Sequence, residues 1–191
     1  MTHDATVLER DLPGPSLDSP ALDAVALDPA AVFDQHGNYV WNTLRRLGVA
    51  HTDLEDLTHD TFVAVFRSWH KCDRTRPLRP WLFVFALGVA SDHRRRARHR
   101  FEVSSTEEPL DDAPGAVELL LLKERQALAH AALGAVTLDR RAVLILHELD
   151  GCSVPEIAAA LEIPVATAYS RLRLGREDLA QAARRLVLRA R

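Results

Sequence analysis

Two clusters of basic side chains in this sequence are of the kind that bind nucleic-acid phosphates. The first is the run His93–Arg100, in which five of the eight residues are arginine. The second is the stretch from Pro164 to about Arg176, where arginine alternates with small and hydroxyl-bearing residues. Arginine contacts phosphates and base edges, and serine and threonine contact either, so both clusters predict binding to nucleic acid.

The second cluster lies in a pattern typical of a helix-turn-helix. Ser153 and Glu156 predict a capping box that begins a short helix, and Glu162–Pro164 predicts a turn before the next helix. The apolar positions Leu149 and Val165 are expected to point inward. The side chains that the second helix would present to DNA are Thr167, Tyr169, Ser170, Arg171, Arg173 and Arg176. The alternative interpretation is a plain helical hairpin whose arginines are only solvated.

The arginine run is less specific, because such a run is as often a solvated helix end as a polyanion contact. It extends an apolar helix predicted over Trp81–His93. Aromatic residues beside arginines suit single-stranded nucleic acid, whose bases stack on the rings. We nevertheless expect most of the aromatic residues of this helix, Trp81, Phe83 and Phe85, to lie in the core.

A third cluster is acidic and lies at the start of a helix predicted over 53–66. Its members are Asp53, Glu55, Asp56 and Asp60. Negative charge suits the first turns of a helix, and Thr52 with Glu55 predicts a capping box there. We interpret the acidic stretch as a face that docks a protein. A metal site with His51 and His59 is the alternative, but no HExxH or paired ExxH spacing supports it.

Apolar residues recur at helical spacing in both halves of the chain, and no strand-like run occurs. The predicted fold class is therefore all-α, with two small helical domains at 32–100 and 118–191. Residues 1–31 predict a disordered acidic tail and residues 101–117 a flexible acidic linker, since both combine proline with acidic residues.

The formal net charge of −3 conceals an asymmetry between these segments. The tail and the linker each carry −5, whereas the first domain carries +5 and the second +2. Both predicted domains therefore have the sign that nucleic acid attracts. The longest apolar run is too short to cross a membrane, so no membrane insertion is expected. The spacing of Cys72 and Cys152 matches no metal-binding motif. The sequence contains no P-loop and no pairing of a nucleophile with a base, so an enzyme is not expected.

Two sets of segments resemble the bacterial RNA polymerase sigma factors of the sigma-70 family. Asp53–Phe62, Pro77–Leu82 and Ala90–Arg96 resemble the second region of these factors. Leu149–Ala158 and Ile163–Leu172 resemble the fourth region. Because a short acidic linker and no third domain separates them, the chain resembles the extracytoplasmic-function group.

The resemblance implies a cytoplasmic transcription-initiation subunit without catalytic residues, cofactor or metal. Its partners would be core RNA polymerase, promoter DNA and an anti-sigma factor. The residues implied to dock on the clamp helices of the largest polymerase subunit are Asp53, Glu55, Asp56, Leu57 and Asp60. Those implied to face the minus-ten element, where the DNA opens, are Asp92, His93, Arg94, Arg95, Arg96, Arg98 and Arg100. The second helix of the helix-turn-helix would read the minus-thirty-five element.

The chain departs from the family pattern at a few positions. Leu87-Gly88 stands where the family commonly has a polar pair that meets the opened strand. Tyr169 and Leu174 replace common basic residues, and Pro164 replaces a capping serine. Two alternative functions are a sigma-like decoy that binds an anti-sigma factor without starting transcription and a stand-alone helix-turn-helix regulator.

Overall fold

The computed structural model describes residues 29–73, 77–101 and 117–189. The predicted tail and linker lie outside these residues, apart from their ends. Every regular element within the described residues is helical, which confirms the all-α prediction. The α-helices there are α1 (Pro29–Leu47), α2 (Leu54–Arg67), α3 (Leu78–Phe101), α4 (Val117–Gly134), α5 (Leu138–Leu144), α6 (Val154–Ala160) and α7 (Val165–Arg189).

Helices α1, α2 and α3 form a bundle because each carries an apolar stripe that needs a partner. Leu44 of α1, Phe62 of α2 and Leu82 of α3 are at most 2% exposed. Each of the three helices contacts the other two. Burying the three stripes together removes them from water and forms the first domain.

A chain of aromatic rings runs through this bundle from α2 to α3. Its successive members, with ring centroids 4.7–6.3 Å apart, are Phe62, Phe66, Trp69, Trp81 and Phe85. Trp81, Phe83 and Phe85 are at most 8% exposed. The prediction that these aromatic residues belong to the core is confirmed, and their rings are not available for stacking on bases in this arrangement.

The capping box predicted for α6 is confirmed. The backbone amide of Ser153 donates to the Glu156 carboxylate at 2.6 Å, and the Glu156 amide donates to the Ser153 hydroxyl at 3.4 Å. Two backbone donors of the helix start are satisfied in this way.

The capping box predicted from Thr52 and Glu55 is wrong. A turn of 3-10 helix at His51–Asp53 moves the start of α2 to Leu54, so Thr52 no longer occupies the capping position. The Thr52 hydroxyl donates instead to the Asp53 carboxylate at 3.3 Å.

The second domain forms around α5, which contacts α7 along its length. Residues 142–146 are at most 2% exposed. Helix α5 continues into one turn of π-helix at Ile145–Leu149. The inward placement expected for Leu149 is wrong, since its side chain is 52% exposed: the wider turn rotates it away from the position that α-helical spacing gives. The inward placement expected for Val165 is also wrong, since this residue, the first of α7, is 44% exposed.

The two domains pack against each other and share one apolar core. Helix α1 contacts α4 and α5, and α3 contacts α6. Arg141 of α5, which is 2% exposed, donates to the carbonyl oxygen of Leu47 at 2.7 Å, to that of Gly134 at 2.6 Å and to that of Val136 at 2.7 Å. Burial, and then the charge of Arg94, lowers the pKa of Arg141 to about 10, so the guanidinium stays charged at neutral pH.

A second polar contact crosses the same interface. The Tyr39 hydroxyl of α1 donates to the Asp150 carboxylate at 2.7 Å. Burial raises the pKa of Tyr39, so the phenol keeps the proton that it donates. Burial also raises the pKa of Asp150, while the hydrogen bond from Tyr39 opposes this rise.

Gly48 allows the close approach of Arg141 to the end of α1. Its φ is +94°, and a Cβ placed there would lie 2.5 Å from Nη1 of Arg141. We therefore expect Gly48→Ala to lower the free energy of unfolding by about 1–2 kcal/mol for the left-handed backbone, and further for the displaced guanidinium. Chemical denaturation measures this loss.

Gly151→Ala is the matched control, because Gly151 also has a positive φ of 72° but open space around its Cβ position. Equal losses of stability in the two variants would contradict the role given to Gly48.

Removing the Tyr39 hydroxyl tests the second contact. In Tyr39→Phe, the pKa of Asp150 should rise further, because burial then acts without the opposing hydrogen bond. Because the pKa of Asp150 is higher in the folded state than in the unfolded state, the protonated carboxyl favours the folded state. This contribution to stability is complete below the unfolded pKa and is lost as pH rises through the folded pKa. Carboxyl titration by NMR checks the shift, and an unchanged pKa of Asp150 would refute it.

Candidate nucleic-acid and protein-binding surfaces

Helices α6 and α7 form the predicted helix-turn-helix. The turn between them contains Glu162 with a positive φ of 53°, and the Ile163 amide donates to the Ala158 carbonyl at 3.0 Å. Helix α7 begins at Val165, and the Pro164 carbonyl accepts from the Ala168 amide at 3.1 Å. Proline suits this position because it has no amide hydrogen that would need a partner.

The six predicted DNA-reading side chains lie on α7 outside its buried stripe. We call them the reading face, and they are Thr167, Tyr169, Ser170, Arg171, Arg173 and Arg176. Tyr169 is 56% exposed, whereas Ala168 and Leu172, which belong to the buried stripe, are at most 5% exposed. Thr167 and Arg171 are half-buried and the other members are exposed. Side chains at i, i+3 and i+4 share a helix surface, so the reading face is continuous.

Each arginine of the reading face is paired with a carboxylate of the same domain. Arg171 lies 3.1 Å from Asp139. Arg173 lies 2.7 Å from Glu177, and Arg176 lies 2.6 Å from Glu148.

Two of these three carboxylates could not be found from the sequence. Asp139 and Glu148 belong to α5 and its π turn, 32 and 28 residues before their arginines. The spacing of Arg173 and Glu177, four residues apart on one helix, could have indicated the third pair.

The basic cluster of the first domain forms the last turns of α3. The Asp92 carboxylate forms an ion pair with Nη2 of Arg95 at 3.0 Å. His93 Nε2 lies 3.1 Å from the Asp53 carboxylate at the start of α2. Arg94 is half-buried and Arg96 exposed. Arg98 and Arg100 continue the helix, but their side chains lie outside the described part.

Leu87-Gly88, the departure from the family pattern, lies one turn before this cluster. Leu87 is partly buried and packs against the core. Gly88 is exposed, and a Cβ placed on it would meet nothing within 4 Å. The surface at this point is therefore apolar and small.

The acidic stretch divides between surface and core. Glu55, Asp56 and Asp60 are exposed on α2, and we call them the docking face. Leu57 is 7% exposed and belongs to the core, which corrects its predicted place among the polymerase-binding side chains. Val63, 47% exposed, follows Asp60 by three residues and adds an exposed apolar side chain to this face, which sequence reasoning missed.

The two histidines of the alternative metal site turn towards aromatic rings. His59 stacks on Phe33 with ring centroids 6.0 Å apart, and His51 meets the Trp41 ring edge-on at 5.8 Å. Among the residues described, no group of three or more His, Cys, Asp or Glu side chains could hold a metal ion.

None of the described helices combines the length and hydropathy needed to cross a membrane.

Each of the two domains matches a known family model. The family model for sigma-70 region 2 matches residues 32–100, and the one for sigma-70, region 4 matches residues 117–179. RNA polymerase sigma factor CnrH of Cupriavidus metallidurans is 30% identical over 154 residues, a match covering 76% of this chain and 81% of CnrH. ECF RNA polymerase sigma factor SigL of Mycobacterium tuberculosis is 33% identical over 149 residues, covering 74% of this chain and 81% of SigL.

A solved structure has the same fold. The sigma factor RpoE from Bartonella quintana, solved in complex with the anti-sigma factor NepR, has a TM-score of 0.59 and 25% sequence identity, and the match covers 80% of this chain and 96% of RpoE. Both matched regions, in this order and over most of the described residues, identify the chain: it belongs to the extracytoplasmic-function group of the sigma-70 family of RNA polymerase sigma factors.

Proposed function

We propose that this sigma factor reads a minus-thirty-five element with α7, contacts a minus-ten element with the end of α3, and holds core RNA polymerase through α2. The observation that carries the proposal is the exposure of a basic reading face on the domain that matches region 4. The chain itself supplies no enzymatic chemistry and works in the cytoplasm, where polymerase and promoter DNA meet.

The reading face has the side chains that direct readout in the major groove requires. Guanidinium groups bind guanine edges, and the hydroxyls of Thr167 and Ser170 bind bases or phosphates. Ala166, which is exposed and directly precedes Thr167, lets the helix approach the DNA closely. Tyr169, which is 56% exposed, adds an aromatic contact at a position where the family commonly has a cation.

The end of α3 supports contact with opening DNA. Exposed Arg95 and Arg96 supply positive charge for phosphates, and Arg98 and Arg100 extend the same run. The contact between His93 Nε2 and the Asp53 carboxylate, at 3.1 Å, joins this cluster to the start of α2 and so links the two surfaces of the first domain.

The docking face supports binding to a basic surface of polymerase. Its three carboxylates are exposed on the first two turns of α2, and exposed Val63 provides an apolar contact beside them. Such a combination suits a partner helix with arginines around an apolar centre.

An anti-sigma factor is a further proposed partner. The Bartonella relative was solved in complex with one. A protein that covers the docking face would compete directly with polymerase, which gives a simple physical basis for inhibition.

The docked arrangement of the domains cannot reach both promoter elements at once. Elements about 25 base pairs apart are separated by about 85 Å of B-DNA, whereas a compact protein of this size has a radius of gyration of about 15 Å. We therefore propose that the domains separate at the interface of α1 with α4 and α5. The segment 101–117 could span about 55–60 Å at full extension, which permits this.

Substitutions on the reading face test the assignment of α7. Arg171→Ala and Arg173→Ala should each weaken binding of the polymerase holoenzyme to the promoter upstream of the protein's own gene by about 1–3 kcal/mol, if each makes a bidentate base contact. Fluorescence anisotropy on upstream duplex DNA measures this.

Arg185→Ala is the control, because Arg185 is exposed on the same helix beyond the reading face. Wild-type affinity in both reading-face variants would reject the assignment.

Charge reversal on α2 tests the docking face. Asp56→Lys combined with Asp60→Lys should weaken binding to core polymerase by about tenfold or more, since two attractive contacts become repulsive. Asp34→Lys, on the exposed side of α1, should bind normally.

A stand-alone DNA regulator would be indifferent to the α2 substitutions, and a decoy would bind its partner yet give no run-off transcript. Either result would replace the proposed function.

A further inference from the structure

We propose that Asp139, Glu148 and Glu177 are specificity-determining residues that keep the reading face from binding DNA by charge alone. This inference rests on the proposed function of α7. By pairing with the arginines of the reading face, the carboxylates suppress attachment to phosphates and leave base contacts as the main source of affinity.

The pairing covers all three arginines of the reading face and comes from separate elements. Asp139 is at the start of α5, and its carboxylate accepts from Nη2 of Arg171 at 3.1 Å. Glu148 is on the π turn, and its carboxylate accepts from Nε of Arg176 at 2.8 Å. Glu177 is on α7 itself and accepts from Nη1 of Arg173 at 2.7 Å.

These ion pairs contribute little to the stability of the fold. Their side chains are 30–69% exposed, and exposed pairs are largely screened by water and salt. The pairing therefore affects mainly the binding of charged groups that approach this surface from solution.

A phosphate that approaches one of these arginines meets the paired carboxylate about 3 Å away. At that separation the repulsion lies well within the Debye length of about 8 Å in physiological salt, so it cancels much of the attraction. A guanidinium has five N–H donors, and Arg171 and Arg173 each use one nitrogen for the carboxylate. The other donors stay available for a guanine edge, so base readout is affected less than phosphate binding.

The net charge of the second domain agrees with this. Residues 118–191 carry only +2, although the reading face alone has three arginines. Nonspecific binding depends on the number of phosphates neutralised, so a masked reading face gives weak attachment to DNA of other sequences.

The chain offers a closely matched control. Asp178 follows Glu177 directly, but its carboxylate lies 2.6 Å from Arg140 of α5, which is not a member of the reading face. Glu177→Gln and Asp178→Asn change the net charge equally at adjacent positions, and only the first releases an arginine of the reading face.

The experiment measures the affinity of the full-length chain, without polymerase, for a 30-base-pair duplex of random sequence over a range of NaCl concentrations. Glu177→Gln should tighten binding about threefold to tenfold and steepen the slope of log K against log salt by up to about 0.9, the value for one additional phosphate contact. Asp139→Asn and Glu148→Gln should act in the same direction. Asp178→Asn should stay within about twofold of wild type.

A double variant tests whether the gain in affinity comes from the ion pair between Arg173 and Glu177. In Arg173→Ala with Glu177→Gln, the gain in affinity should disappear, because no arginine is there to be released. Equal gains for Glu177→Gln and Asp178→Asn, a gain that survives in the double variant, or no gain at all would each overturn the inference.

Run-off transcription separates this inference from the function on which it rests. If wild-type holoenzyme gives no promoter-specific transcript, the proposed function fails, whatever the random duplex shows. If it does, the triple variant Asp139→Asn, Glu148→Gln and Glu177→Gln should lose transcript several-fold more than wild type when random duplex is added as competitor. Equal sensitivity to the competitor would overturn the inference alone.

Discussion

The guanidinium of Arg141, buried between the domains, connects the ends of two helices and the segment that follows one of them. It donates to Leu47 at the end of α1, to Gly134 at the end of α4 and to Val136 in the connection to α5. Carbonyl groups at helix ends lack partners within their helix and carry partial negative charge, so they compensate the buried cation without a carboxylate. The position of the helix-turn-helix relative to the first domain depends on this compensation, because a buried charge that loses its partners is strongly destabilising.

The same interface is crowded with cations, which limits how firmly it holds. Burial, and then the charges of Arg45 and Arg46, lowers the pKa of His130. Arg94 likewise lowers the pKa of Arg141. The neutral form of His130 is thus favoured in the docked state, so stability decreases as pH falls from the unfolded pKa of His130 through its lower folded pKa. The interface between the two positively charged domains thus rests on Arg141, on the Tyr39–Asp150 hydrogen bond and on the shared apolar core, and these are the contacts that the proposed separation would break.

Local spacing was enough to predict the helices, the Ser153–Glu156 capping box and the exposure of Tyr169 and Arg173, because these depend on neighbours within about one helical turn. The errors arose where the backbone leaves ideal α-helical spacing, as at the 3-10 turn before Leu54 and the π turn that exposes Leu149. The carboxylates of Asp139 and Glu148 and the interdomain role of Arg141 depend on tertiary packing, so no local pattern could indicate them.

Helix α7 has 25 residues and at 1.5 Å per residue is about 37 Å long. Its first turns carry the reading face, and further along it packs on α4, with Ala182 near its far end only 7% exposed. Helix α4 begins at Val117, directly after the segment that joins the domains. Under the proposed function, the second domain acts as a lever with DNA at one end and the connecting chain at the other. The path along which polymerase guides that chain would set the angle at which α7 meets its promoter.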